Sequence, residues 1–430
     1  MTTIRDAIRT ATADNKVTTE EWNTLVKPAA DATVKEASAD AREVLSLFTN
    51  SSFEVEDTAK KGMATYLNSR GYDASATRPR PAGASDEALF NQIKSSNISE
   101  TDEAFLDLAT RAGKSTATTT IAVLDSGFDT DHDALDTKLW TNPDEVAGDG
   151  IDNDQNGKVD DIHGWDFVSG DNNPNSTDSS GHATHTTGIA TKGTDQVKSI
   201  SIRAFSPLDA QKLSDAIDYA VGEGARVFNM SFKVSTPALV EAVSAAMARH
   251  PDVLFVKSAG NDGREIDSYQ ANAYLPKNTI DNMAVVSSAD QDLTRADYSN
   301  VGLPWSTHGA IGSDVLASVP GDKFIRMSGT SMAAPQVAGL AARMLILDPS
   351  LKATELKGMI ADTTDRAEEW GSLTQSGGLI NENRAHQLAA LTGLVRSGLT
   401  QDAAASQLGL SQDVAASLAP LVAKYLPTAA

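Results

Sequence analysis

From Thr120 onward, short apolar runs alternate with longer amphipathic stretches. The runs are Ile121 to Leu124, Ser199 to Ala204, Val227 to Met230, Val253 to Val256 and Met283 to Val286. A strand with one wet face would alternate polar and apolar residues, so these continuous runs predict strands buried on both faces. Between them, Leu213 to Val221 and Pro237 to Arg249 carry helical spacing. The alternation predicts an α/β fold, a mostly parallel sheet with helices on both faces. In such sheets reactive groups gather at the carboxyl ends of the strands.

The regions before and after this texture read as helical. Thr18 and Glu21 have capping-box spacing ahead of a periodic segment, and Glu56 to Leu67 and Ser99 to Ala112 have helical spacing. A Pro-rich linker at 77–85 divides the first region. Asp14, Val17 and Glu21 have the spacing of half an EF-hand loop, but Thr10 and Thr12 stand where acidic ligands are required, which argues against an ion there. At the other end, Leu399-Thr-Gln-Asp is echoed by Leu410-Ser-Gln-Asp, predicting two short capped helices. The expected organisation is a helical N-terminal region at 1–112, an α/β domain at 113–391 and a helical C-terminal tail at 392–430.

One stretch organises the chemistry. Gly329 to Gly339 places Ser331 just after a glycine and ahead of the apolar, Ala-rich segment Val337 to Leu347. A serine at the start of a buried helix sits among free backbone N–H groups at the positive end of the helix dipole. Its hydroxyl can attack a carbonyl while those N–H groups hold the oxyanion. A plain capping turn is the competing reading. Two upstream segments bear on the choice. Asp125 directly follows the strand run Ile121 to Leu124, and His182 stands in Gly181-His-Ala-Thr-His185 between a loop and a helical stretch. Serine needs a base at neutral pH, and the base needs a group that fixes its tautomer. Taken singly, Asp125 is equally a cap and His182 equally a core histidine. Together, the order Asp, His, Ser along one α/β domain is that of the subtilisin arrangement.

Over roughly residues 120–391 the chain resembles the subtilisin-family serine endopeptidases, or subtilases. Ala122-Val-Leu-Asp125-Ser-Gly, with His132-Asp-Ala-Leu135 after it, is similar to the family's aspartate motif. Gly181-His182-Ala-Thr-His185 is similar to its histidine motif, and Gly329-Thr-Ser331-Met-Ala-Ala-Pro335 to its serine motif. Val227 to Ser231, Ser258 to Asn261, Tyr298 to Asn300 and Gly378 to Asn381 fall in family order. The sedolisin subgroup is excluded, because His182 and Asn261 stand where it uses acidic residues.

The resemblance implies peptide-bond hydrolysis through an acyl-enzyme that needs no metal for its chemistry. It makes Ser331 the nucleophile, His182 the base and then the acid, Asp125 its orienting partner, Asn261 an oxyanion donor and His185 a neighbour. It also implies that Ser231, Phe232 and Lys233 wall the substrate cleft, where the family has an apolar residue followed by glycines. Ala183 replaces a usual glycine, and Gln336 a common histidine. The alternative is a catalytically idle protein that keeps the fold as a binding module or scaffold.

Two acidic loops separate Asp125 from His182. The first offers Asp149, Asp152, Asp154, Asn156, Asp160 and Asp161 as hard oxygen ligands, with Gly157 for a turn of positive φ. It is expected to hold a structural calcium ion, although His163 stands where an EF-hand has its twelfth-position glutamate. The second, Asp166 to Asp178, is a weaker candidate for the same ion, and Asp, Asn and Gly also form plain turns.

Composition narrows the partners. A net charge of −22 excludes nucleic acid, and no stretch is long and apolar enough to span a membrane. The expected partners are a protein or peptide substrate and a regulatory or inhibitory protein at the helical ends. There are no cysteines, so disulfides and thiolate metal sites are excluded. Met1 to Trp22 contains charged residues and no apolar run, which predicts a cytoplasmic protein or one exported by a non-standard route.

Overall fold

The structure is a computed structural model and describes residues 16–17, 54–55, 100–175, 180–205, 209–234, 236–266 and 281–426. The chain divides into two compact units, one of Met1–Ser96 with Asp290–Asp292 and one of Asn97–Ala289 with Leu293–Ala430. In the first, strand β1 (Lys16–Val17) pairs in parallel with β2 (Glu54–Val55). The readings at Asp14 to Glu21 apart from β1, at Glu56 to Leu67 and at 77–85 lie outside the described residues.

The second unit carries nine strands in one sheet. In chain order they are β3 (Thr119–Asp125), β4 (Gly164–Asp166), β5 (Val197–Arg203), β6 (Ala225–Met230), β7 (Leu254–Ser258), β8 (Met283–Ala289), β9 (His308–Ile311), β12 (Asp365–Arg366) and β13 (Gly378–Leu379). A separate hairpin joins β10 (Val315–Val319) to β11 (Lys323–Met327). The sheet order is β12-β13-β9-β8-β7-β6-β3-β5-β4, and every pairing but β12 with β13 is parallel. All five apolar runs overlap strands, with only Ala204 and Val253 outside by one residue, and β3 lies between β5 and β6. The chain therefore leaves β3 toward one side and returns on the other, which opens a crevice at the carboxyl end of β3.

Alternate strand residues feed two cores. On one face Ile121, Val227, Leu254 and Val286 pack under α1 (Glu100–Arg111), α5 (Thr330–Leu347), α6 (Ala353–Asp362) and α7 (Glu382–Arg396). On the other, Leu124, Phe228, Phe255 and Val285 pack under α3 (Ala210–Gly222) and α4 (Pro237–Arg249). Helix α2 (His182–Ala190) packs against α5. Caps set the starts of the outer helices. Asp209 accepts from the N–H groups of Gln211 and Lys212, and Thr236 accepts from Leu239 N–H ahead of Pro237. Among the described residues no helix is long and apolar enough to cross a membrane.

Both ends of this unit extend past the boundaries read from the sequence. Phe105, Leu108 and Ala109 of α1 are buried in the first core, so the unit begins at Asn97 and not at 113. The tail at 392–430 is not a separate piece either, because α7 runs through residue 392. The two expected capped helices are α8 (Gln401–Leu408) and α9 (Gln412–Tyr425), begun by Thr400 and Ser411. Their Ala404, Leu408, Leu418 and Val422 join the same core. Gln407 Nε2 donates to Arg111 O at 2.9 Å, tying the tail to α1. Arg396 on α7 pairs with Asp348 and Glu355, and Tyr425 OH donates to Asp362. Apolar positions of the expected helical tail thus pack onto the helices that cover the sheet's first face.

Candidate active site

Asp125 ends β3 and is 2% exposed. Its Oδ1 accepts from Ser126 N–H at 2.8 Å, and both oxygens face His182 Nδ1, at 3.0 and 2.8 Å. A carboxylate only accepts, so Nδ1 carries the proton and Nε2 is left as the basic nitrogen. His182 opens α2 behind Gly181, whose φ is +66°. A Cβ on Gly181 would lie 2.7 Å from Pro320 Cδ, so backbone and space both require glycine there. The unusual Ala183 is buried against Phe128 and Leu135, and its methyl fills a pocket without disturbing the helix. The His185 Nε2 donates to Ile325 O at 3.1 Å, which ties α2 to the β10–β11 hairpin. Burial holds His185 down to about 4, so it is neutral and distinct from the base.

Ser331 lies in the first turn of α5 with no side-chain cap on the helix. Its Oγ donates to Ser231 O at 3.1 Å, and Ser231 Oγ donates back to Ser331 O at 2.9 Å. The Asn261 Oδ1 accepts from Thr330 N–H at 2.9 Å and from Thr330 Oγ1 at 2.8 Å. Those bonds fix the amide, and Nδ2 faces the helix start. A Cβ on Gly329 would come 3.4 Å from that nitrogen. Asn300 holds the turn that bears Asn261, its Oδ1 accepting from the N–H groups of Asp262 and Arg264, both at 3.1 Å. Helices α2 and α5 meet at Gly339, where a Cβ would stand 2.4 Å from Ala190 O. That contact sets the spacing between the helix bearing His182 and the helix bearing Ser331. Gln336, where histidine is common, donates to Ile311 O and anchors α5 to the end of β9.

The expected cleft wall lies beside this site. Phe232 is half-buried with its ring edge-on to Phe205 at 4.3 Å, and Lys233 is exposed. The sequence reading missed Lys257, which is buried in β7 and whose Nζ donates to Phe232 O.

The first acidic loop regroups the expected ligands. Asp152 and Asp154 converge with Glu145, and Asp154 and Asp161 converge with Glu223, each trio having oxygens within 4.8 Å of one another. Asp149 and Asp160 stand outside both trios. Asp160 accepts from Gly148 and Gly150 N–H at 2.7 and 3.1 Å, and Asp149 from Ile151 N–H at 2.8 Å, so their oxygens are spent on shaping the loop. Asn156 sits at the centre. Its Nδ2 donates to Asp154, Asp161 and Glu223, while its buried Oδ1 has no partner among the described residues. Rotating that amide would turn the orphan oxygen toward the three carboxylates. This donor set fits a hard cation. Gly157 has the expected positive φ, +86°. His163 Nδ1 instead donates to Trp140 O at 2.8 Å, away from the ligand role.

Crowding shows in the titration of these groups. Burial, reinforced by Asp161 and Asp154, pushes Glu223 up to about 7, and burial raises Asp161 despite the hydrogen bond from Tyr219. The second loop is organised differently. Its Asp166 is buried, pairs with Arg203 at 2.6 Å and caps Val168 and Ser169 N–H. Asp171 and Asn173 form plain turns, neither loop residue belongs to a trio among the described residues, and Asp178 lies outside them.

Residues 116–385 match the family model described as Subtilase family. A thermophilic serine proteinase of Bacillus sp. (strain AK1) is 31% identical over 294 residues, covering 65% of this chain and 64% of that protein. Thermitase of Thermoactinomyces vulgaris is 30% identical over 258 residues, 56% of this chain and 84% of its own. The chain spans about half to two thirds of the length of several curated relatives it matches. The crystal structure of a lanthipeptide protease superposes with a TM-score of 0.52 at 22% identity, over 66% of this chain and 95% of that one, which shows a shared fold.

Proposed function

The chain belongs to the subtilase family, and from that premise we propose that it is a serine endopeptidase acting on peptides or proteins through an acyl-enzyme. The observation that carries this reading is the Asp125–His182 pair, at 2.8 Å, with His182 on a helix packed against α5, whose first turn bears Ser331. Ser331 Oγ attacks the scissile carbonyl carbon and passes its proton to His182 Nε2. Asp125 stabilises the imidazolium while staying ionised. The carbonyl oxygen gains negative charge and takes hydrogen bonds from Asn261 Nδ2 and the backbone at the start of α5. His182 then protonates the leaving amine, and water, deprotonated by the same nitrogen, releases the acid.

Labelling with a fluorophosphonate tests the reading. Ser331 should be modified, and Ser331→Ala should fold normally while losing about 10⁶ in kcat, the figure known for subtilisin's own serine. A folded wild-type protein that is neither labelled nor able to cleave peptides would instead be the idle binding protein. The first acidic loop is proposed to hold structural calcium through Asp152, Asp154, Asp161, Glu145, Glu223 and the Asn156 carbonyl. That ion would neutralise the loop and take no part in the acyl transfer.

A further inference from the structure

We infer that Lys257 makes the cleft beside Ser331 a site for an acidic side chain, so that the enzyme cleaves after aspartate or glutamate. The inference rests on the endopeptidase reading above and names the substrate class of the same site.

The argument starts from where two strands part. Strands β6 and β7 stay paired up to Met230 opposite Lys257. Past that pair each segment takes a different partner. Ser231 exchanges hydrogen bonds with Ser331, and Asn261 holds Thr330. The acyl carbon would sit between Ser331 Oγ and Asn261 Nδ2. The side chain of the residue that supplies this carbonyl branches one bond away, so it enters the gap between the two segments. Lys257 stands at the floor of that gap.

Its amine reaches the segment that follows β6. Lys257 has the parity of Phe255 and Ala259, which face the same core as Phe232. The Nζ reaches past the last paired residue to donate to Phe232 O, and lies 5.5 Å from the Phe232 ring centroid. Phe205 closes the far side of that ring. An ammonium has three N–H donors, and Phe232 O takes one. Among the described residues Lys257 has no ion-pair partner, although it is 2% exposed. A buried cation without an anion is costly, and a carboxylate arriving with the substrate supplies one. Burial pulls the Lys257 amine down to about 7, with Lys233 acting in the same direction, and a bound carboxylate reverses that pull.

The test compares peptides that differ only in Glu or Gln before the scissile bond, an isosteric pair. Wild-type enzyme should cleave the Glu peptide with at least roughly tenfold higher kcat/KM, because a site built to pair a charge rejects the analogue lacking it. Lys257→Met, which keeps the apolar stem, should bring the ratio close to one while Ser331 still takes the fluorophosphonate. Equal rates in the wild type, or a Glu preference that survives Lys257→Met, would overturn the inference. If Lys257→Met does not fold, Lys233→Gly decides: a preference kept there supports Lys257, and one lost there assigns the selection to Lys233 and overturns it. A wild-type enzyme that is labelled and cleaves after leucine but not after glutamate refutes this inference alone. Failure of labelling and of all cleavage refutes the endopeptidase reading beneath it.

Discussion

Two carboxylate sites in the second unit are built on opposite terms. Asp125 is a single buried acid at the end of a central strand, surrounded by donors: Ser126 N–H, the Thr186 hydroxyl at 3.4 Å and His182. The loop from Glu145 to Asp161 gathers acids against acids, joined by Glu223 from the end of α3, with the Asn142 and Asn156 amides and the Tyr219 hydroxyl donating among them. The first site is complete with its own residues. The second crowds its acids together, and burial, reinforced by Asp161 and Asp154, raises Glu223. On the proposed reading, the first site works by orientation and is satisfied internally, and the second would be balanced by a cation.

The largest effect that separates the two belongs to the satisfied site. Asn261→Ala should lower kcat by about 10²–10³ with little change in KM, since on the proposed mechanism the amide serves charge that develops only in the transition state. The magnitude is the one known for subtilisin's oxyanion asparagine. Its Tm should also fall, because Thr330 is buried and loses the acceptor of its N–H and hydroxyl. A rise in KM with unchanged kcat would mean that Asn261 only binds substrate.

The acidic loop should respond in stability. In a Ser331→Ala background, which prevents self-digestion, chelation should lower the Tm. Calcium at 100 times its dissociation constant contributes about 2.7 kcal/mol by mass action. Asp152→Ala with Asp154→Ala should remove most of that response. Equal melting with calcium and with chelator would make the loop a set of turns.

The same contrast explains what could be read from the sequence. Asp125, His182 and Ser331 each adjoin a regular element, a strand end or a helix start, so local pattern placed them. The ligand trios depend on where a loop folds. Glu223 is far along the chain, at the end of a helix, and nothing local ties it to Asp154. Asp149 and Asp160 look like ligands by composition, yet spacing alone cannot tell an oxygen that meets a cation from one that caps Gly148 N–H. Lys257 was hidden for a different reason. It interrupts an apolar strand run only at its end, and its reach to Phe232 O depends on the pairing of β6 with β7. The end helices were legible as helices, but their docking was not, because an amphipathic face does not say which core it covers.

A smaller effect tests how tightly the satisfied site is held. Gly339→Ala puts a methyl 2.4 Å from Ala190 O, at the crossing of α2 with α5. Alanine favours a helix by about 1 kcal/mol over glycine, yet the forced separation should cost about 1–3 kcal/mol in stability. His182 and Ser331 ride on the helices that must part, so kcat should fall more than KM changes. A variant with raised Tm and wild-type kcat would show that the crossing has slack, and that the site is not set by this contact.

The smallest effect comes from the acidic loop in chelator. Glu223 has a folded-state pKa of about 7, raised above the ordinary value of 4.5. Between those pH values the folded protein holds a proton that the unfolded chain has lost. Stability therefore falls as pH rises through this window, the reverse of the usual carboxylate. Other groups titrate nearby, and buried His185 works in the opposite direction, so the comparison is with Glu223→Gln and not with pH alone. Glutamine keeps the shape and the acceptor for Asn156 Nδ2 while carrying no charge. In chelator and the Ser331→Ala background, Glu223→Gln should melt above its parent at pH 8, and the gap should close as pH drops toward 5. With calcium present the order should reverse at pH 8, because the variant has lost a ligand. A gap that is independent of pH in chelator would mean that Glu223 is not held against its neighbours, and the contrast between the two sites would then lose its energetic basis.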